Sequence, residues 1–479
     1  MKVINKNVRK AILIIVLGCS FSACKSITIA EKKVNIKAPQ KFQNSDDSLN
    51  SANLNWKLFF HDVDLISLID SALVNNQELN SVSQELQIAR NEVQARKGEY
   101  LPFVGFGTNA DVEKVGRYTS KGSSEATTEI KPGKATPEPL PNFNLGFHAS
   151  WEIDIWHKLR NAKKSAYSKY LGSVEARKFL VTNLVAEISN SYYELLALDN
   201  QLRIVEQNVE IQNNALKIVK LEKEATRVTE LAVKKFEAEV FYTKSLQFEI
   251  KQKIIETENR INFLLGRFPQ KVNRNSENFS NYVPDTVFLG LPSHLLENRA
   301  DIKQAEIFLQ ASSLDIKVAK AQFLPSVKLN AGLGLQAFNP VFLLKAPESL
   351  LYSLAGDLVS PLINRNAIKT AYFNANSKQI QAVYSYEKTI LNAFIEVTNQ
   401  MFNIQNLNES YKLKEQQVQA LNQSIEISTN LFKSAKADYM EVLLTQRDAL
   451  ESKFDLIETK MLQMHAEVNL YRALGGGWK

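Results

Sequence analysis

The sequence predicts a mainly helical protein with a minority of long strands, built from one unit repeated in tandem. Three observations carry that reading. The first is the stretch FNLGFHASWEIDI, in which Phe143, Leu145, Phe147, Ala149, Trp151, Ile153 and Ile155 are apolar or small. Between them stand Asn144, Gly146, His148, Ser150, Glu152 and Asp154. Alternation with period two marks a strand with one apolar and one wet face. The second is a proline-free run from Leu159 to Glu224, in which Tyr167, Val174, Val181, Ile188, Leu195, Leu202, Val209 and Leu216 recur every seven residues. That is a coiled-coil seam, and some 60 residues of it would reach about 90 Å. The third is the repeat itself: EYLPFVGF (99–106) aligns with QFLPSVKL (322–329), and INFLLGRF (261–268) with LYRALGGG (470–477).

Taken in order, the chain opens on Lys2, Lys6, Arg9 and Lys10, then AILIIVLG, then CSFSACKS. A basic start, a short apolar run and small residues before a cysteine describe an export signal, too short to span a membrane as a helix. Without residues 1–23 those four cations are lost and the net charge of +7 falls to +3, which gives no case for nucleic acid. The only cysteines, Cys19 and Cys24, lie in this segment, so no internal disulfide is expected. FSAC and VLGC each resemble the bacterial lipobox. Cys24 leaves the fuller apolar run and is the expected lipidation site, with Cys19 the alternative; an ordinary cleaved signal with unused cysteines is the plainer reading.

Residues 24–60 read as an extended arm and 61–100 as a helical segment, with Leu65, Leu68, Ile69, Ala72 and Leu73 at helical spacing. Residues 101–157 read as a hairpin, its strands joined by a polar, solvated loop at 114–142. Residues 158–266 read as the long helix and a return helix that meet at KEATRVTE (223–230), and 267–292 as a linker. The plan then returns: a helical segment at 293–322, a second hairpin at 323–362, and a second long helix with its return at 363–474. The second seam runs through Val383, Ile390, Val397, Ile404, Tyr411, Val418, Ile425 and Phe432, and the tail is 475–479.

Four strands with an apolar face cannot close a barrel alone, and an open sheet in lipid strands its edge amides. The strands either form part of a soluble sandwich, or several chains pool them; three chains would supply twelve. The long rods, which want neighbouring rods, favour the second. Asn144, His148, Glu152, Asp154, Lys328, Asn330 and Gln336 would then line water. Glu152 and Asp154 share a strand face like a catalytic carboxylate pair, but no cleft accompanies them. The five histidines are scattered, without HExxH or CxxC, and GFG and GGG precede no phosphate-binding helix. No enzyme, metal site or cofactor is expected beyond the N-terminal lipid.

Several motifs, in the same order, resemble the TolC-like outer-membrane efflux proteins, in particular the lipidated exit ducts of resistance-nodulation-division pumps. LPSHLLENRADIKQAE is similar to LPSxLLxxRPDIxxAE, VAKAQFLPSVKLNAGLG to AKAxxxPxxxLxxxxG, SWEIDIW to SWExDxFG, and LYRALGGGW to LYKALGGGW. The resemblance covers nearly the whole mature chain. It implies a homotrimer, with a 12-stranded outer-membrane β-barrel of four strands per chain, continuous with a long periplasmic α-helical coiled-coil barrel. It implies passive export, with a periplasmic adaptor (membrane fusion) protein and an inner-membrane resistance-nodulation-division pump as partners. Thr226 and Ala435 stand where the family has glycine in the tip turns, and with Arg227 and Lys436 they mark the expected docking tip. YMEVLLTQR (439–447) resembles YLxLLDAQR, which places the periplasmic aperture at Met440, Glu441, Leu444 and Arg447; the family's acid is Leu444 here, so no cation-favouring ring is expected there. Arg299-Ala300-Asp301 replaces the family's Arg-Pro-Asp. A protein-secretion duct and a periplasmic coiled-coil scaffold or adaptor are the alternatives.

Overall fold

A computed structural model of the chain describes residues 31–36, 39, 41–42, 50–277, 279, 287–434 and 436–479. Cys19, Cys24 and Ala435 lie outside the described residues. The helices and strands are α1 (Trp56–Phe59), α2 (Val63–Asn75), α3 (Gln77–Tyr100), β1 (Phe103–Glu113), α4 (Ser120–Thr127), β2 (Glu129–Lys131), β3 (Lys134–Ala135), β4 (Leu140–Ile153), α5 (Lys158–Glu224) and α6 (Glu230–Leu264). The second half supplies α7 (His294–Asn298), α8 (Ala300–Ala321), β5 (Ser326–Ala337), β6 (Leu350–Val359), α9 (Asn366–Lys433) and α10 (Tyr439–Ala473). Helix, strand pair, long helix and return helix therefore occur twice, as the repeat predicts.

The chain divides into two compact units. One comprises residues 1–33, 87–171 and 307–383 and holds the strands. Its main sheet has the order β1-β4-β5-β6, antiparallel throughout. Two expectations are corrected here. The 114–142 segment is not only loop: Thr119 Oγ1 accepts the Gly122 N–H at 3.1 Å and starts α4, and β2 pairs with β3 across Gly133. The strand read as 143–155 is Leu140–Ile153, because the chain turns at Asp154 and His157 takes a left-handed φ of 59° before α5 begins.

The other unit comprises residues 34–86, 172–306 and 384–479. Its main core joins Leu65, Ile69 and Leu79 to Ile188, Tyr192 and Leu195 of α5, Ile261 and Leu265 of the α6 end, and Met464 and Tyr471 of α10. Burying each such side chain contributes about 1.5–3 kcal/mol relative to exposure. Phe59 stacks on Tyr471 with centroids 3.9 Å apart. Asp62 both caps α2, accepting the Asp64 and Leu65 N–H groups at 2.9 and 3.2 Å, and accepts the buried Tyr192 hydroxyl at 2.8 Å. Burial first, then the Asp62 charge, pushes that phenol's pKa well up. The seams pack at Val181, Ile188 and Leu195 and at Ile390 and Val397. Tyr167, read as the first seam residue, is half exposed.

The repeat is legible in matched contacts. Both return helices end on a left-handed glycine, Gly266 at φ 63° and Gly475 at φ 93°. In each the next amide reaches back five residues, Arg267 N–H to Asn262 O at 3.0 Å and Gly476 N–H to Tyr471 O at 3.0 Å. This Schellman cap needs φ above zero, which glycine takes without strain. A Cβ would also collide with backbone, 2.4 Å from Asn75 O at Gly266 and 2.7 Å from the Asn298 carbonyl carbon at Gly475. Beside each cap one side chain binds a last-turn carbonyl: Asn76 Nδ2 donates to Leu264 O and Arg299 Nη1 to Ala473 O, both at 2.9 Å. Arg299 also grips Asp301 through two bonds of 3.0 and 2.7 Å and reaches Glu396 at 2.7 Å. Ala300 begins α8 at the first helical position, where proline would fit equally well.

Removing Arg299 leaves a buried carbonyl and two carboxylates without their donor. Arg299→Ala should cost about 3 kcal/mol, read as a lowered thermal midpoint of the detergent-solubilised protein, and Asn76→Ala about 1 kcal/mol. Equal losses at the two positions would contradict this account of the caps.

Candidate functional site

Residues directly opposite in an antiparallel ladder share a face. The register therefore sets Phe106, Phe147, Leu333 and Tyr352 in one row across all four strands. Neighbouring rows hold Val104, Ala149, Ala331 and Leu354, then Thr108, Leu145, Leu335 and Leu350. Apart from Thr108 this face is apolar, and it is open: Phe147 is 57%, Tyr352 78% and Leu354 79% exposed.

The reverse face carries six of the seven residues expected to line water. Asn144 lies across from Gln336, and Lys328 stands between Glu152 and Asp357. Asn142 Nδ2 and Asn109 Nδ2 donate to Asp111 Oδ1 at 3.0 and 3.1 Å, Gln336 donates to Asn142 at 2.8 Å, and Asn330 donates to Asp357 at 2.7 Å. Glu152 is ion-paired to Lys158. Asn109, Asp111 and Asp357 are further members that the alternation in TNADVE and LAGDLV places here, and Asn142 joins them because β4 begins at Leu140, inside the segment read as loop. The seventh residue is a correction. Asp154 lies beyond the strand, 5% exposed, and caps α5 by accepting the Leu159 and Arg160 N–H groups at 3.0 and 2.9 Å. Burial alone would raise its pKa, but those amides and the Arg160 guanidinium hold it below the ordinary value. It is a helix cap, so no carboxylate pair forms with Glu152.

Glycines make the middle of this polar face bare. Gly146 and Gly334 are paired so closely that a Cβ on Gly146 would lie 2.6 Å from Gly334 Cα. A Cβ on Gly105 would meet the His148 ring at 2.5 Å, so the imidazole occupies the space over that glycine. Among the described residues β1 and β6 have no strand on their outer sides. In hydrocarbon such an edge costs several kcal/mol per unpaired group, so the sheet is incomplete as it stands.

At the tip, α5 ends in the same Schellman geometry as the return helices. Thr226 N–H bonds Lys223 O and Arg227 N–H bonds Glu222 O, both at 2.8 Å, with Thr226 at φ 60°. The turn that glycine favours is thus kept by a β-branched residue, at a cost of about 1–2 kcal/mol. In the second repeat Lys436 N–H bonds Leu431 O at 2.9 Å, the same five-residue reach. The two tips meet: Val219, Val233 and Phe236 pack in one cluster with Phe432, Tyr439 and Leu443. The Lys220–Glu237 ion pair at 3.1 Å joins α5 to α6, and Lys234 pairs with the same Glu237 within α6 at 2.8 Å; both are solvent-exposed pairs of small worth.

Leu444 and Arg447 lie on one stripe of α10 with Met440, and Glu441 flanks it. Glu441, Leu444 and Arg447 are exposed and Met440 half-buried, while Val442, Gln446, Ala449 and Leu450 are buried on the opposite side. Arg447 has an acidic neighbour, Asp448, at 3.7 Å.

A charge in the middle of the apolar rows discriminates lipid from water there. Leu333→Arg should cost about 2–4 kcal/mol if that face meets hydrocarbon, and folded protein should vanish from the outer-membrane fraction. Normal recovery from that fraction would place the face in water.

The geometry of an apolar-faced open sheet with paired helical tips has known counterparts. The cation efflux system protein CusC of Escherichia coli O6:H1 is 26% identical over 449 residues, covering 92% of this chain and 93% of that protein. The pyoverdine export outer membrane protein OpmQ of Pseudomonas putida is 26% identical over 467 residues, covering 97% and 96%. A crystal structure of CusC superposes with a TM-score of 0.82 at 23% identity, over 95% of this chain and 100% of that one. The outer membrane efflux protein family model matches residues 68–267 and 291–476, one segment per repeat, and the chain belongs to that family.

Proposed function

We propose that three copies of this chain join β1 of one to β6 of the next, closing twelve strands into the outer-membrane exit duct of a tripartite efflux system. The observation that carries this reading is the open four-stranded sheet, apolar on one face and polar on the other. Closure pairs every edge amide, turns the apolar rows to lipid, and leaves Asn144, His148, Glu152, Lys328, Asn330 and Gln336 facing water. The duct is passive. It works with a periplasmic adaptor, met at Thr226, Arg227, Ala435 and Lys436, and with an inner-membrane pump of the resistance-nodulation-division class that supplies the energy. Met440, Glu441, Leu444 and Arg447 narrow its periplasmic aperture. Two relatives of equal similarity are named for cations and for pyoverdine. That supports a duct for small solutes whose cargo is chosen by the pump.

A lipid on Cys24 fits the same arrangement. Lys32 is clamped to α9 by Gln379, whose Nε2 donates to Lys32 O at 2.9 Å. Gln379 lies 13 residues into α9 from Asn366, about 20 Å along the helix. The eight residues separating Cys24 from Lys32 reach about 27 Å when extended, enough to return to the strand-side end of α9. Acyl chains there would enter the lipid next to the protein's own barrel.

Purified full-length protein in detergent should have the mass of three chains, and in a planar bilayer it should form channels. A monomeric species without conductance would sink the duct. Arg447→Ala should make closed channels leakier, and unchanged single-channel conductance would count against the aperture assignment. Intact-mass spectrometry should find the mature chain starting at an acylated Cys24, with the acyl mass lost in Cys24→Ala; acylation that persists in that variant would move the anchor to Cys19.

A further inference from the structure

Near the tip, α5, α6 and α10 stack in layers seven residues apart. Val219, Phe236 and Tyr439 belong to one apolar cluster, and Val205, Ile250 and Phe454 to another farther from the tip. The layer between is bracketed from both sides. Gln212 is one heptad from Val219 and from Val205, Thr243 one from Phe236 and from Ile250, and Gln446 one from Tyr439. Gln212 and Thr243 are fully buried and Gln446 is 4% exposed. Yet both amide atoms of Gln212, Thr243 Oγ1 and Gln446 Oε1 have no hydrogen-bond partner in the protein. Glu239, one turn before Thr243, has a sealed carboxylate oxygen in the same condition; burial pushes its pKa up, against the opposing pull of Arg447.

These atoms are closed off inside a single chain, so a second copy packing on the outside cannot reach them. Asn208 Nδ2 and Ser452 Oγ, on the side toward the Val205 cluster, are likewise buried without partners, and such groups weaken the packing between the two apolar clusters unless something small supplies the bonds. Water does so wherever several polar groups converge in a buried space. A wet layer between two dry ones separates the packing on its two sides, because parting it exposes little apolar surface.

We infer that Gln212, Thr243 and Gln446 form a hydrated joint across the helix layer, and that residues 213–242, 432–434 and 436–445 loosen from it as one unit. This deepens the duct reading and rests on it: that unit carries the tip turns together with Met440, Glu441 and Leu444, and Arg447 sits beside the joint. The aperture face can then move while the seams on the far side stay packed.

Amide hydrogen exchange on the full-length protein in detergent tests the joint. In the wild type, residues 213–242, 432–434 and 436–445 should exchange together, about tenfold faster than 191–205 and 250–264. The triple variant Gln212→Leu/Thr243→Val/Gln446→Leu should slow the tip segments about tenfold and leave the far side unchanged. Should it fail to fold, Thr243→Val alone, of nearly the same shape, should slow them about threefold. Uniform exchange along the helices, or tip exchange unmoved or quickened by these changes, overturns the joint. Bilayer conductance of the wild type separates the two ideas: a conducting protein with unmoved exchange loses only the joint, and a non-conducting one loses the duct.

Discussion

The backbone groups on the outer sides of β1 and β6 constrain everything else. A strand edge in water can be solvated, but the apolar rows from Val104 to Leu358 mark a sheet built for hydrocarbon, where an unpaired amide has no partner. Edge-to-edge closure is the remaining solution for a chain with four such strands. The polar face follows from it. Closure turns that face inward, and the glycines Gly105, Gly146 and Gly334 permit approaches that any side chain would block. Polar side chains there bind one another along the sheet, as Asn142, Asp111 and Gln336 do.

Duplication explains how one chain presents two hairpins and two tips. The matched caps at Gly266 and Gly475 hold the return helices against the residues that start α3 and α8, and this junction is conserved in geometry while its chemistry has diverged. Asn76 does with one amide what Arg299 does within a charged cluster. The neutral version needs no counter-ions. The charged one is stable only because Asp301 and Glu396 accompany it, since a lone guanidinium so deeply buried would be costly.

The helical layers follow a different economy. Their seams are apolar by heptad but interrupted by buried polar residues, and three of those without partners, Gln212, Thr243 and Gln446, share one layer, while Asn208, Ser452 and Gln463 lie farther from the tip. A strand wall must be rigid to stay closed. A helix layer interrupted by buried, unpartnered polar groups parts more cheaply there, because little apolar surface is exposed.

Residue pattern alone determined the strands, the long helices, the duplication and the polarity of each sheet face, because periods of two and seven are local and survive without knowledge of neighbours. It also located the break at 223–230, whereas the stripe of Met440, Leu444 and Arg447 was legible only through the resemblance of YMEVLLTQR to the efflux family's motif. Tertiary structure alone decided the rest. Asp154 continues the alternation perfectly, yet it caps a helix, because the chain turns there and two amides of α5 need an acceptor. Thr226 keeps a glycine-like conformation because the cap around it overrides its own preference. The matched roles of Asn76 and Arg299, which bind carbonyls 188 and 174 positions away, and the layer shared by three helices join residues distant in sequence, and no local period records which distant side chain a buried polar group will meet.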